Sequence, residues 1–197
     1  YSVTVTKHIV IPSVTADINN ISSSDFSADK FSVTPTFSTD VDGNNTAFEL
    51  TDGQSKTFND VFVDTLFSVV EASDERFDTA YEVWYLDGEN KVFVEPDENG
   101  KYTVDRHLNV TIKNTLKIRI LTVRKVADIP SIAGGEKDFT FSLKIGEKDA
   151  TDITVRSNSS KTIAVPYGET VTVEEKNVEF ENGKKVFEVF DISDEEK

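Results

Sequence analysis

A lysine, a glutamate and an asparagine stand at positions where this sequence calls for apolar side chains. The stretch Tyr1–Val10 alternates with the period of a half-buried strand, and Lys7 falls in phase with Val3, Val5 and Ile9 while Thr4, Thr6 and His8 take the other face. Asn114 follows Leu108, Val110 and Ile112 on one face of the segment His107–Thr115. Glu71 follows Phe67 and Val69 in the same way. An ammonium, a carboxylate and a carboxamide are each costly to bury unless they meet one another, so three inward polar residues of these types predict one buried constellation.

The chemistry open to such a set is covalent. A lysine desolvated among apolar side chains has a lowered pKa and becomes a neutral, nucleophilic amine, while a carboxylic acid in the same pocket has its pKa raised. If the fold holds that nitrogen against the Asn114 side-chain carbonyl, the high effective molarity of an oriented pair favours attack, with Glu71 donating to the oxygen and shuttling protons. Ammonia leaves and an isopeptide bond remains. Two plainer readings compete. A strand-end lysine can pack its stem and carry its ammonium out to water, and a simple Lys7–Glu71 salt bridge would account for two of the three residues but not for Asn114.

The elements that would position these groups occur twice. Val5-Thr6-Lys7 precedes Ile11-Pro12-Ser13 by the same spacing with which Val123-Arg124-Lys125 precedes Ile129-Pro130-Ser131. Lys30-Phe31-Ser32-Val33 parallels Asp138-Phe139-Thr140-Phe141, Ser55-Lys56-Thr57 parallels Ser160-Lys161-Thr162, and Phe67-Ser68-Val69-Val70-Glu71 parallels Val171-Thr172-Val173-Glu174-Glu175. Lys125 is in phase with Leu121 and Val123, and Glu175 with Val171 and Val173. Repeats of this length are whole domains. The expected division is residues 1–116 and 117–197, with extra loop residues in the first copy within segments 15–29 and 38–46. No Gly/Pro/Ser linker separates the copies, which predicts an end-to-end junction with little slack. The interval from Glu71 to Asn114, laid off from Glu175, runs past Lys197, so the second copy is expected to lack its final, asparagine-bearing strand.

Composition bounds the class. Val, Thr, Ile and Phe dominate the periodic segments and no apolar helical stripe appears, which predicts an all-β chain of two β-sandwiches. Across 197 residues, 36 acidic side chains against 21 basic ones leave a formal charge of −15 and no basic face for nucleic acid or an anionic membrane. Cysteine is absent, so redox compartment is not readable. No stretch has the length and apolarity of a membrane span or a signal peptide, and the chain reads as a mature, soluble fragment.

The ordered set of motifs resembles the B-type domains of Gram-positive collagen adhesins (Cna B-type) and the similar domains of their major pilins. In that family the lysine ends the first strand, as in Val3-Thr4-Val5-Thr6-Lys7. The glutamate closes an aromatic-x-Val-x-Glu stretch, as in Phe67-Ser68-Val69-Val70-Glu71, and the asparagine lies in a final strand ending Asn-Thr, as in Val110-Thr111-Ile112-Lys113-Asn114-Thr115. Val171, where the second copy would carry an aromatic, departs from the pattern. The resemblance implies tandem Ig-like (reverse-Ig) sandwiches and a stalk or adhesin module on the bacterial cell surface or in a pilus. It also implies a self-formed Lys7–Asn114 cross-link with Glu71 as proton shuttle, and Lys125 and Glu175 as counterparts without their asparagine. The implied partners are a host extracellular-matrix protein or glycan, or other surface or pilus subunits. The bond forms once per domain, so the chain is not expected to be a turnover enzyme.

Weaker signals point elsewhere. Asp40-Val41-Asp42-Gly43-Asn44-Asn45 has the composition of a calcium loop, but its glycine is misplaced for the EF-hand and a hairpin turn explains Asp-Gly as well. His8 and His107 lack histidine or cysteine companions for zinc, and no phosphate loop or nucleophile elbow occurs, so no cofactor or metal is expected. Asp87-Gly88-Glu89-Asn90 and Glu98-Asn99-Gly100-Lys101 read as hairpin turns. The alternative function is a carbohydrate-binding sandwich, for which Trp84, Tyr85, Phe93 and Tyr102 form the one aromatic cluster. An enzyme built on paired carboxylates would need two facing acids, whereas each copy offers one.

Overall fold

The structure, a computed structural model, describes residues 1–127 and 136–176 and the backbone of 191–195. Ile129-Pro130-Ser131, one of the repeat matches, lies outside the described residues. Among the described residues the chain is all-β apart from one 3-10 turn, Ser23–Phe26, and it divides into two compact units. The first comprises Tyr1–Ile11 and Ser22–Leu116, and the second comprises Pro12–Ile21 with the chain from Lys117 onward.

Unit 1 is a sandwich of a five-stranded and a four-stranded sheet. The larger has the order β4-β1-β9-β6-β7, from β1 (Val3–Val10), β4 (Ser55–Phe58), β6 (Phe77–Asp87), β7 (Asn90–Phe93) and β9 (Leu108–Leu116). The smaller has the order β3-β2-β5-β8, from β2 (Phe31–Phe37), β3 (Phe48–Leu50), β5 (Thr65–Glu71) and β8 (Tyr102–Val104). Strict alternation of β-branched and aromatic residues gives each inner strand one apolar face. Val3, Val5, Leu108, Val110, Ile112 and Val83 from one sheet meet Val33, Phe37, Phe67 and Val104 from the other. First and last strands, β1 and β9, are neighbours and run parallel, with Lys7 opposite Ile112 and Ile9 opposite Asn114. Pleating therefore puts Lys7 and Asn114 on the same inward face of adjacent strands.

Turn chemistry follows the residues. Asp87 pairs with Asn90 across a two-residue loop whose Gly88 adopts φ 61, the left-handed conformation that a tight hairpin needs. The second expected turn differs. Asp97 accepts hydrogen bonds from the backbone N–H groups of Asn99 and Lys101, but β7 and β8 belong to different sheets. That segment is a crossover between layers and not a hairpin.

Unit 2 has two three-stranded sheets. One has the order β13-β10-β15, from β10 (Ile118–Lys125), β13 (Ser159–Pro166) and β15 (Asp191–Glu195). The other has the order β12-β11-β14, from β11 (Asp138–Ile145), β12 (Thr151–Arg156) and β14 (Val171–Glu175). Its core is built on Leu121, Val123, Phe139, Phe141, Leu143, Ile153, Val155, Ile163 and Val173. Residues 12–21, which the sequence reading assigned to the first domain, pair here instead. Ile18 forms a parallel bridge with Ile163 and packs against the core, and the Asp17 carboxylate accepts from the backbone N–H and hydroxyl of Thr162.

The repeat is reproduced in register. Thr6, Val5 and Thr4 pair with Ser55, Lys56 and Thr57, while Arg124, Val123 and Thr122 pair with Ser160, Lys161 and Thr162. Val33 lies opposite Glu71, as Phe141 lies opposite Glu175.

Candidate functional site

In unit 1 the three expected residues converge. Lys7 comes from β1, Asn114 from β9 on the same sheet, and Glu71 reaches across from β5 on the facing sheet. Lys7 and Asn114 have no exposed surface. Lys7 Nζ donates to Glu71 Oε2 at 2.6 Å, and Asn114 Nδ2 donates to Glu71 Oε1 at 2.7 Å. The carboxylate thus bridges the amine and the amide nitrogen with one oxygen each. The expectation that Glu71 would contact the amide oxygen is not met. That oxygen, Asn114 Oδ1, accepts a hydrogen bond of 3.0 Å from Thr79 Oγ1, because Thr79 lies directly opposite Asn114 in the β6–β9 ladder.

Burial sets the electrostatics. Desolvation holds the Lys7 pKa below the ordinary lysine value, opposed by the hydrogen bond and charge of Glu71 and, more weakly, by Asp52 and Asp74. The ammonium sits 4.1 Å from the centre of the Phe31 ring. Phe31 in turn meets Phe77 edge-on at 5.6 Å, and Phe77 meets Phe26 of the 3-10 turn at 5.7 Å. These rings wall the lysine off with apolar surface. Tyr81 braces the other side, its hydroxyl oxygen accepting the Glu71 backbone N–H at 2.9 Å. Burial and the neighbouring carboxylate push the Tyr81 pKa up and keep it protonated.

Sequence reasoning did not single out Thr79, Tyr81, Phe26 or Phe77 for any role. The signal for Thr79 was of the same kind that exposed Lys7, since it lies in phase between Phe77 and Tyr81. A threonine in a strand is too common for that phase alone to mark it.

Unit 2 holds two of the counterparts. Lys125 Nζ donates to Glu175 Oε1 at 2.9 Å and to Oε2 at 2.7 Å, and lies 4.4 Å from the Phe139 ring centre. Lys125 is fully buried, whereas the Glu175 side chain keeps 15 % of its surface exposed. The neighbour of β10 in the place that β9 takes beside β1 is β15, which runs antiparallel and pairs Arg124 with Asp191. Its sequence, Asp-Ile-Ser-Asp-Glu, contains no asparagine.

The residues behind the weaker signals are dispersed. Trp84 pairs with Phe93 on the outer face, where Trp84 Nε1 donates to Thr111 and Lys91 covers its ring at 4.0 Å, while Tyr85 and Tyr102 pack on the core. The four aromatics therefore do not share a face. In the Asp40–Asn45 segment, the Asn44 side chain is committed to the backbone of Phe37 and Thr39. His8 lies beside Asp52 and His107 hydrogen-bonds Ser2. Among the described residues no three His, Cys, Asp or Glu side chains are grouped to hold a metal ion, and no helix is long and apolar enough to cross a membrane.

No protein-family model matches the chain, and no curated protein sequence matches it. Among solved structures it is similar to the major pilin from Streptococcus pyogenes, with a TM-score of 0.34 and 18 % identity, covering 86 % of this chain and 76 % of that one. Likeness at that level carries nothing about chemistry, which is argued from the side chains above.

Proposed function

We propose that unit 1 cross-links itself by an isopeptide bond between Lys7 Nζ and Asn114 Cγ, and that the chain is a structural stalk or adhesin module of a Gram-positive cell-surface or pilus protein. The observation that carries the reading is the bridging carboxylate. Glu71 touches the amine through one oxygen and the leaving nitrogen of the amide through the other, in a site closed to water.

Proton flow follows from those contacts. Glu71 Oε2 takes a proton from the Lys7 ammonium, and the freed amine attacks Asn114 Cγ. The Cγ–Nδ2 bond then breaks as Glu71 delivers that proton to Nδ2, and the carboxylate takes the surplus proton from the now cationic Lys7 nitrogen and passes it to the departing ammonia. The net change converts an ammonium and a primary amide into a secondary amide and an ammonium ion. Proximity of oriented groups supplies the driving force that a free lysine and asparagine lack. The benefit is mechanical. A bond between the first and last strands closes a loop of roughly 100 residues, worth about 4–5 kcal/mol if it acts as a disulfide does on the unfolded chain, and it is not reducible. A module whose two ends emerge from adjacent parallel strands then transmits tension through a covalent link.

Intact mass tests this. The folded protein is expected one ammonia lighter than its sequence, and Glu71→Ala is expected at full mass. A wild-type chain of unmodified mass removes the chemistry and leaves a sandwich with a buried ion pair.

A further inference from the structure

We propose that Thr79 is a catalytic residue of the cross-linking step, supplying the hydrogen bond that stabilises the oxyanion as Lys7 attacks Asn114. This rests on the isopeptide reading and adds to it a role that Glu71 does not fill. When Lys7 Nζ bonds to Cγ, the carbonyl π electrons move onto Oδ1, and negative charge develops at an atom with no exposed surface. Both Glu71 oxygens are already engaged, one with Lys7 Nζ and the other with Asn114 Nδ2. The hydroxyl of Thr79, 3.0 Å from Oδ1, is the donor positioned to meet the charge. A preorganised donor at such an atom lowers the barrier because its interaction strengthens as charge grows and it needs no reorientation.

The same contact sorts the amide. Oδ1 accepts from Thr79 and Nδ2 donates to Glu71, so the nitrogen faces the acid that must protonate it. Rotation by half a turn would set Oδ1 against the carboxylate and leave Nδ2 beside a hydroxyl. Thr79 therefore fixes which atom becomes the oxyanion and which becomes ammonia. Its place in the ladder explains why it can act so. Thr79 is paired directly with Asn114, on the stretch of β6 that precedes its pairing with β7, and its main surface is open to solvent while the hydroxyl points inward.

The test uses the full chain made and held in denaturant, then diluted into folding conditions and sampled for loss of ammonia by intact mass. Trp84, the one tryptophan, lies in unit 1 and reports its folding in the same samples. Thr79→Val keeps shape and removes the hydroxyl. It is expected to fold at the wild-type rate and cross-link on the order of 100-fold more slowly, the lower end of what losing one oxyanion donor costs in acyl transfer. Thr79→Ser keeps the hydroxyl and is expected to cross-link within a few-fold of wild type. Thr79→Ala is a second hydroxyl-free variant should valine perturb folding. Cross-linking of both hydroxyl-free variants at the wild-type rate would overturn the assignment while leaving the isopeptide reading intact. Serine as slow as valine would also overturn it, since shape and not the hydroxyl would then matter. A wild-type chain that loses no ammonia would sink both.

Discussion

The two units hold a lysine and a glutamate in the same register, over the corresponding phenylalanines Phe31 and Phe139, and differ in the strand laid beside the lysine. In unit 1 that strand is parallel β9, which brings Asn114 to the Lys7–Glu71 pair and draws each carboxylate oxygen to a different partner. In unit 2 it is antiparallel β15, and both Glu175 oxygens turn to Lys125. One carboxylate is divided between an amine and a carboxamide, and the other forms a forked ion pair. A buried lysine–glutamate contact is common to both units, and in unit 1 a carboxamide joins it. On the proposed reading, the chemistry comes with that carboxamide.

That contrast can be broken most severely at Glu71. On the proposed reading, Glu71→Ala removes the cross-link and leaves Lys7 buried beside an unanswered amide. Unfolding of unit 1, followed by Trp84 fluorescence in denaturant, should show a loss of at least about 4 kcal/mol. Asn114→Ala keeps the Lys7–Glu71 pair and loses only the bond, so its expected cost is about 4 kcal/mol by the loop-entropy estimate, with full sequence mass. If it proves as stable as wild type, the bond either does not form or does not stabilise.

Glu175→Ala sharpens the comparison from the other side. No bond is at stake there, so the variant should, like the wild type, weigh one ammonia less than its own sequence. The cost, read from unit 2 by hydrogen exchange, should be roughly 3 kcal/mol, at the low end for a broken buried pair because Glu175 is partly exposed. A deficit smaller than the wild type's would mean that unit 2 carries chemistry of its own.

The smallest effect is one of pH. In Asn114→Ala the Lys7 amine remains free, and its folded pKa lies below the unfolded value of about 10.4. Between those two values the unfolded chain binds more protons than the folded one, so stability rises with pH across the window and levels off above about 10.4. Adding Lys7→Met to that background should flatten the rise. A stability that falls through the same window would contradict a desolvated lysine.

Much of this site was legible in the sequence because β-strand phase is unforgiving. A polar residue in step with Val3, Val5 and Ile9 has nowhere to point except inward, and the same logic placed Glu71 and Asn114. The repeat was legible because its register is set by matching triplets, Ser55-Lys56-Thr57 and Ser160-Lys161-Thr162, that face the lysine strand in both units. What escaped had no phase, or a phase too ordinary to mark it. Residues 12–21 carry no alternation, and their attachment to unit 2 depends on Ile18 and on the bond of Asp17 to a threonine 145 residues away. Phe26 approaches the lysine from a single 3-10 turn, too short for periodicity. The orientation of the Asn114 amide depends on Thr79, a strand-favouring residue whose identity suggested nothing. The direction of β15 is fixed by a ladder that no local pattern encodes.

The account stands most directly on where the bond is. Digestion of the folded protein with trypsin, followed by tandem mass spectrometry, should yield one branched peptide. It would join the fragment containing Lys7, uncleaved at that lysine, to the fragment containing Asn114, one ammonia lighter than their sum, with ordinary cleavage after Lys125. Two linear peptides, with cleavage after Lys7 and an intact Asn114 side chain, would contradict it.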